Sequence, residues 1–231
     1  MAGTTVRDNS EVESCFAAAC SQTGLEISQA RIKAVQGWSK RYVFQVLWTE
    51  TLGEGHPDLE AHIERSYAAF KAVLEKHYHT NPVLPTDGAL HFFEYCKRNG
   101  IKIALTTGFY RKVTDIILEK LGWLNGLDTN YVSDGTAMID CSVAGDEVSA
   151  GRPAPDMIFL TMKKLNITDV SSVIAVGDTP SDLQSGKNAG LAAVFGLTNG
   201  THTADLLEPY ENDGLLPSID ALIHEIEKLN S

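Results

Sequence analysis

The stretch Val173 to Gly190, VIAVGDTPSDLQSGKNAG, constrains the fold more than any other part of the chain. A short apolar run, Val173 to Val176, stops at Gly177 and is followed at once by Asp178. Runs of this length and composition read as buried strands of a parallel sheet, covered on both faces. Thr179, Pro180 and Asp182 then open a small-residue helix, Leu183 to Ala189. A carboxylate at the C-terminal end of such a strand stands where open α/β sheets place their ligands. Asp178 and Asp182 together suit Mg²⁺, which takes one or two protein carboxylates and completes its shell with water and substrate phosphate. Thr179 and Asp182 also fit a capping box, which would stabilise the helix start and nothing more. Asp178 is harder to dismiss, because an ionised strand-end group is costly unless paired or metal-bound.

The chain around this stretch divides in two. Residues 9 to 80 carry helical periodicity throughout. Predicted helices start at Asn9 or Ser10, run from Ser28 to Val35 and from Lys40 (capped by Ser39) to about Leu52, and then from Pro57 to about His79. Asn81 to Pro85 is a stiff exit. From Thr86, capping a helix with Asp87 and Leu90, strands alternate with helices: Ile101 to Leu105, Tyr110 to Leu121, Tyr131-Val132, a helix ending at Leu165, the opening stretch, Leu191 to Phe195, and Ile219 to Leu229. This alternation indicates an α/β fold with a parallel sheet.

The formal net charge of −11 argues against nucleic-acid binding, which needs a basic surface. Cys15, Cys20, Cys96 and Cys141 form no C-x-x-C pair and read as reduced thiols. No apolar segment approaches the roughly 20 residues of a membrane span, and MAGTTVRDNS lacks the regions of a signal peptide. The expectation is a cytoplasmic protein with no membrane partner.

Three predicted strand ends present polar groups: Thr107-Gly108, the Asp134 region, and Asp178. Arg152 precedes two prolines and a helix. Hydroxyl, cation and carboxylate together suit a tetrahedral anion: Thr107 and the Gly108 N–H to bond phosphoryl oxygens, Arg152 to offset charge. The bland alternatives are a helix-capping Thr107 and a solvated Arg152.

The ordered set MAGTT, LTTG, GRPAPD and VGDTPSD resembles the haloacid dehalogenase-like hydrolases, and within them the phosphonatase-like branch. The resemblance implies a Rossmann-like core, residues 1–8 and 81–231, with an inserted α-helical cap, residues 9–80. It implies Mg²⁺ held by Asp178, Asp182 and the Ala2 carbonyl, with Thr107 and Arg152 catalytic and Gly3, Thr4, Gly108 and Trp38 binding the substrate. The family's first motif is Asp-x-Asp-Gly-Thr, of which Met1 to Thr4 match the last four places, with Ala2 at the general-acid position as in phosphonatases. The nucleophilic Asp, and the central strand leading to it, would stand immediately ahead of Met1. A start placed one codon late, a true pseudoenzyme or rescue by another group would each account for that; the first is expected. Lys40 resembles the cap lysine that condenses with an aldehyde substrate, although Gln36 and Val43 stand where phosphonatases carry Met and His. The expected function is hydrolysis of a small phosphorylated or phosphonate metabolite, cleaving C–P or P–O through an aspartyl-phosphate. A phosphoglycolate-type phosphatase and an inactive binding protein are the alternatives. Leu47, Trp48 and Tyr67, read as exposed, suggest a homodimer through the cap.

Overall fold

The computed structural model describes residues 1–35 and 38–229; Gln36 and Gly37, which bear on the lysine motif, lie outside the described residues. Among these residues no helix is long and apolar enough to cross a membrane. The chain forms two units, one made of Ser10–Pro82 and the other of Met1–Asn9 with Val83–Ser231.

The first unit is helical: α1 (Glu11–Thr23), α2 (Gln29–Ala34), α3 (Lys40–Leu52) and α4 (Leu59–Thr80). Gly24, in the left-handed region, stops α1 and returns its N–H to Cys20 and Ser21 carbonyls. Phe16, Phe44 and Phe70 pack at 4.9–6.4 Å between ring centroids and are fully buried. Leu47 and Trp48, expected at a dimer surface, are buried too. The reason is a polar network inside the unit. Trp48 Nε1–H donates to Ser66 Oγ at 2.9 Å, Ser66 donates to Thr23 Oγ1 at 2.8 Å, and Thr23 donates to the Ala19 carbonyl at 2.8 Å. The indole also lies 4.3 Å from the His62 ring.

In the second unit the elements are α5 (Ala89–Arg98), β1 (Ala104–Thr107), α6 (Arg111–Lys120), β2 (Cys141–Ala144), α7 (Asp156–Lys164), β3 (Ile174–Gly177), α8 (Pro180–Asn188), β4 (Ala193–Leu197), α9 (Ala204–Leu207), β5 (Gly214–Leu216) and α10 (Leu222–Leu229). All strand pairs are parallel, as the alternation requires. The strand expected at Tyr131-Val132 is instead β2, paired from Ala104↔Cys141 to Thr107↔Ala144. Tyr131 has φ 60°, a left-handed conformation that no strand residue adopts. Asp134 therefore sits in an exposed loop, bonding Thr136 N and Oγ1, and is not at a strand end. Thr86 and Asp87 do not cap α5, which starts behind left-handed Gly88 and leaves Leu90 exposed while Phe92 and Cys96 turn inward. Thr86 Oγ1–H donates to the Thr4 carbonyl, and Asp87 pairs with Arg7.

The strands fall into two ladders, β1-β2 and β3-β4-β5, with no strand between β1 and β3 among the described residues. Residues 103–106 and 173–176 line one cavity of 590 Å³, which Phe93, Cys96, Met157, Met162, Ile219 and Ile226 close with apolar surface. Thr5, whose buried hydroxyl has no hydrogen-bond partner, also lines it. The cavity is bounded by two strand edges that no other strand pairs, the place where the expected central strand would run.

Two stability measurements follow. Ser66→Ala leaves a buried indole N–H unpaired and is expected to cost about 1–3 kcal/mol in denaturant unfolding; Trp48→Phe should then cost less in that background than alone. Additive costs would show that the network is not coupled. Fusing five alternating Val and Ile residues ahead of Met1 is expected to raise Tm by several degrees, at about 2–4 °C per kcal/mol for a chain of this size, whereas a proline-interrupted fusion leaves Tm unchanged. No difference between the two fusions would mean that the gap does not accept a strand.

Candidate active site

The opening stretch folds as a strand-to-helix turn. Thr179 is the N-cap of α8: its hydroxyl accepts the Asp182 N–H, and Asp182 Oδ2 accepts the Thr179 N–H at 3.1 Å and its hydroxyl at 2.6 Å. The capping box is thus present. It is not all that Asp182 does, because Asp182 Oδ1 also lies 2.9 Å from Arg152 Nη1, with both side chains nearly buried. A helix cap is worth about 1 kcal/mol, whereas removing one partner of a buried ion pair costs roughly 3–5 kcal/mol. The pairing with Arg152 is the larger commitment.

Arg152 reaches the end of β1 as well. Its Nη2 donates to the Thr106 carbonyl at 3.0 Å and to Thr106 Oγ1 at 2.7 Å. The guanidinium thus joins the C-terminal end of β1 to the start of α8. Thr106, not Thr107, is the hydroxyl that holds it, since alternate residues of a strand face opposite ways. Thr107 is buried, its Oγ1 accepting the Phe109 N–H at 3.2 Å, so it shapes the turn after β1. Gly108, in that turn, is exposed.

Asp178 is 1% exposed. Its Oδ1 accepts Thr4 Oγ1–H at 2.7 Å, and its Oδ2 accepts Thr201 N–H at 2.9 Å and Thr201 Oγ1–H at 2.7 Å. Gly3 is required beside it: at φ 79° a Cβ would fall 2.0 Å from Asp178 Oδ2. Ala2 pairs with Val6 across the same tight loop, whose amides from Thr4 to Val6 converge on the Met1 carbonyl. The Met1 ammonium sits at the Thr106 carbonyl, 3.4 Å away. Burial and then Arg152 push its pKa down, against the opposing pull of Asp182 and Asp178. Burial acts against ionisation of Asp182, but Arg152, the Met1 ammonium and the Thr179 donors outweigh it and hold that carboxyl below its usual range. Thr4, Arg152, Asp178 and Asp182 are therefore brought together with Gly3. Lys40 and Trp38 belong to the helical unit, the Lys40 ammonium 5.6 Å above the Phe16 ring centre and the Trp38 ring 5.7 Å from Tyr42.

The donor set fits a hard divalent cation. Every hydrogen-bond donor on buried Asp178 is neutral, and an ionised carboxylate in such a place is stabilised by a metal or a paired charge. Its Oδ1 has taken one hydrogen bond and keeps a lone pair. Mg²⁺ is commonly held by one or two carboxylates, with water and substrate completing its shell. Thr201 was missed by sequence reasoning: a threonine in a polar loop, 23 positions after the carboxylate it holds, carries no local signal.

A family model described as haloacid dehalogenase-like hydrolase matches residues 1–190. A phosphonoacetaldehyde hydrolase of Bacillus cereus (strain AH187) is 33% identical over 157 residues, 67% of this chain and 53% of that protein. The chain thus spans about half the length of the curated relatives it matches. Among solved structures, a phosphonoacetaldehyde hydrolase-like protein from Oleispira antarctica aligns with a TM-score of 0.81 at 20% identity, covering 99% of this chain and 90% of that one. A hydrolase from Pseudomonas syringae aligns with a TM-score of 0.76 at 19% identity, covering 99% and 96%. At these identities the solved structures establish the fold, while the family match extends over the first loop, Arg152 and both aspartates. The chain belongs to the haloacid dehalogenase-like hydrolases.

Proposed function

We propose that this chain serves Mg²⁺-dependent hydrolysis of a small phosphorus-containing metabolite, with a phosphonoaldehyde as the favoured substrate. The observation that carries the reading is the buried junction of Arg152, Asp182 and Asp178 at the ends of two parallel strands. Asp178 and Asp182, with the Ala2 carbonyl, would hold Mg²⁺, which when bound neutralises charge on phosphoryl oxygens. Arg152, fixed by Thr106 and Asp182, offers the remaining guanidinium edge to a tetrahedral anion. Thr106 Oγ1, already at the Arg152 guanidinium, and the Gly108 N–H would serve its other oxygens, whereas Thr107, expected in that role, is buried against the Phe109 N–H.

Neither aspartate of the site is placed to attack. Asp178 is locked by Thr4 and Thr201, and Asp182 by Arg152 and Thr179. In this reading the nucleophile is an aspartate joined to Met1, whose amine already lies at the Thr106 carbonyl beside Arg152 and Asp182. The choice of a phosphonoaldehyde over a phosphate ester rests on Ala2. A phosphomonoesterase uses an acid there to protonate the leaving alcohol, a contribution of about 10²–10⁴-fold, and alanine has no proton to give. Carbon–phosphorus cleavage needs a different leaving group: Lys40, condensed with the aldehyde, would let carbon depart as an enamine. The 33% identity to a phosphonoacetaldehyde hydrolase supports the same choice.

Two experiments test this without requiring turnover. Titration calorimetry is expected to find Mg²⁺ binding to the wild type and at least a tenfold weaker affinity, about 1.4 kcal/mol, in Asp178→Asn; equal affinities would remove Asp178 from the metal site. Borohydride added with phosphonoacetaldehyde is expected to leave a reduced adduct on Lys40, seen by peptide mass mapping and absent from Lys40→Arg. Labelling spread over surface lysines, unchanged in Lys40→Arg, would exclude the imine route and favour phosphate esters.

A further inference from the structure

The polypeptide after β4 runs through Thr198, Asn199, Gly200, Thr201 and His202 before α9. It is pinned at both ends. Thr198 N–H donates to the Leu216 carbonyl at 2.9 Å, tying the start to β5, and Leu207 of α9 is fully buried. Between those anchors the backbone is pressed against the candidate site. A Cβ on Gly200 would fall 2.3 Å from Asp178 Cβ and 2.5 Å from the Gly3 carbonyl oxygen, so only glycine lets the loop approach so closely.

That approach delivers two donors from one residue to one carboxylate oxygen. Thr201 N–H and Oγ1–H both end on Asp178 Oδ2, at 2.9 and 2.7 Å. The hydroxyl has a single proton, and with it committed to the carboxylate the Thr201 oxygen is left to accept. His202 Nδ1 lies 3.0 Å from that oxygen and, as an N–H donor, completes the chain. His202 is 9% exposed, so the imidazole is held in place by packing as well as by this bond.

We propose that Thr201 and His202 are positioning residues for Asp178: the His202 ring orients the Thr201 hydroxyl, and Thr201 ties down Oδ2 so that Oδ1 is the oxygen presented to the cation. The inference rests on the Mg²⁺ reading of Asp178. It adds to that reading a set of groups outside the four motifs, acting through Asp178 with no contact to metal or substrate required. Partners that orient a metal ligand typically contribute roughly 10–100-fold to metal affinity. A threonine that merely filled space would contribute to folding and leave affinity untouched.

The test is Mg²⁺ affinity by calorimetry on the full chain, with thermal unfolding measured in parallel without metal. Thr201→Val, which keeps the shape and removes the hydroxyl, is expected to weaken Mg²⁺ binding at least tenfold, while Thr201→Ser restores it to within a few-fold. His202→Leu is expected to weaken binding in the wild type and to add almost nothing in the Thr201→Val background, because its effect passes through the hydroxyl. Wild-type affinity in Thr201→Val, or losses in Thr201→Val and His202→Leu that simply add, would overturn the proposal while leaving Asp178 as a ligand. Should Thr201→Val fail to fold, the Thr201→Ser and His202→Leu pair decides: His202→Leu with wild-type affinity overturns it. A wild type that binds no Mg²⁺ would instead overturn the metal reading, and this inference with it.

Discussion

The pairing of Arg152 with Asp182 is the interaction on which the rest of the site depends. A buried guanidinium facing a buried carboxylate is costly to assemble, and breaking it from either side leaves an uncompensated charge worth several kcal/mol. Here the cost is met by saturation. Arg152 also takes the carbonyl and hydroxyl of Thr106, and Asp182 the N–H and hydroxyl of Thr179. Each of these partners sits at the end of a strand or the start of a helix, so the ion pair fixes the ends of β1, β3 and α8 relative to one another. The stability term and the functional geometry are therefore the same set of bonds.

Asp178 is organised on a different principle. It is more buried than Asp182 but is held by hydroxyl and amide donors only, with glycines at positions 3 and 200 crowding it on two sides. A guanidinium is among the direct partners of Asp182, whereas the hydrogen bonds to Asp178 come from neutral donors. Two acids four residues apart, alike in sequence, thus end with different kinds of partner.

Much of this was legible in the chain. Order and spacing located Arg152, Asp178 and Asp182, because strand ends in a parallel sheet bring distant motifs to one edge. Pattern alone could not tell Thr106 from Thr107, since the choice turns on the side each faces in a four-residue strand. It could not see β2 either: Cys141-Ser142-Val143-Ala144 is too short and too small-chained to stand out from a glycine-punctuated loop, yet all four residues are buried by pairing. Trp48 was misjudged for a related reason. A tryptophan with a polar N–H reads as a surface residue until Ser66 and Thr23, on two other helices, supply the buried partner for its indole.

The contacts that make the site are long in sequence. Thr4 reaches Asp178 across 174 positions, Met1 reaches Thr106 across 105, and Asp178 waits for Thr201. Loop closure over such separations is paid before any bond returns it, which slows folding of high-contact-order chains. The Thr4 hydroxyl meets its carboxylate only once Asp178 has been made, and that carboxylate is held on both oxygens only once Thr201 has followed. A ribosome-bound intermediate would carry a finished helical segment, residues 10–82, while its hydrolase half was still unable to hold either an ion or a phosphate.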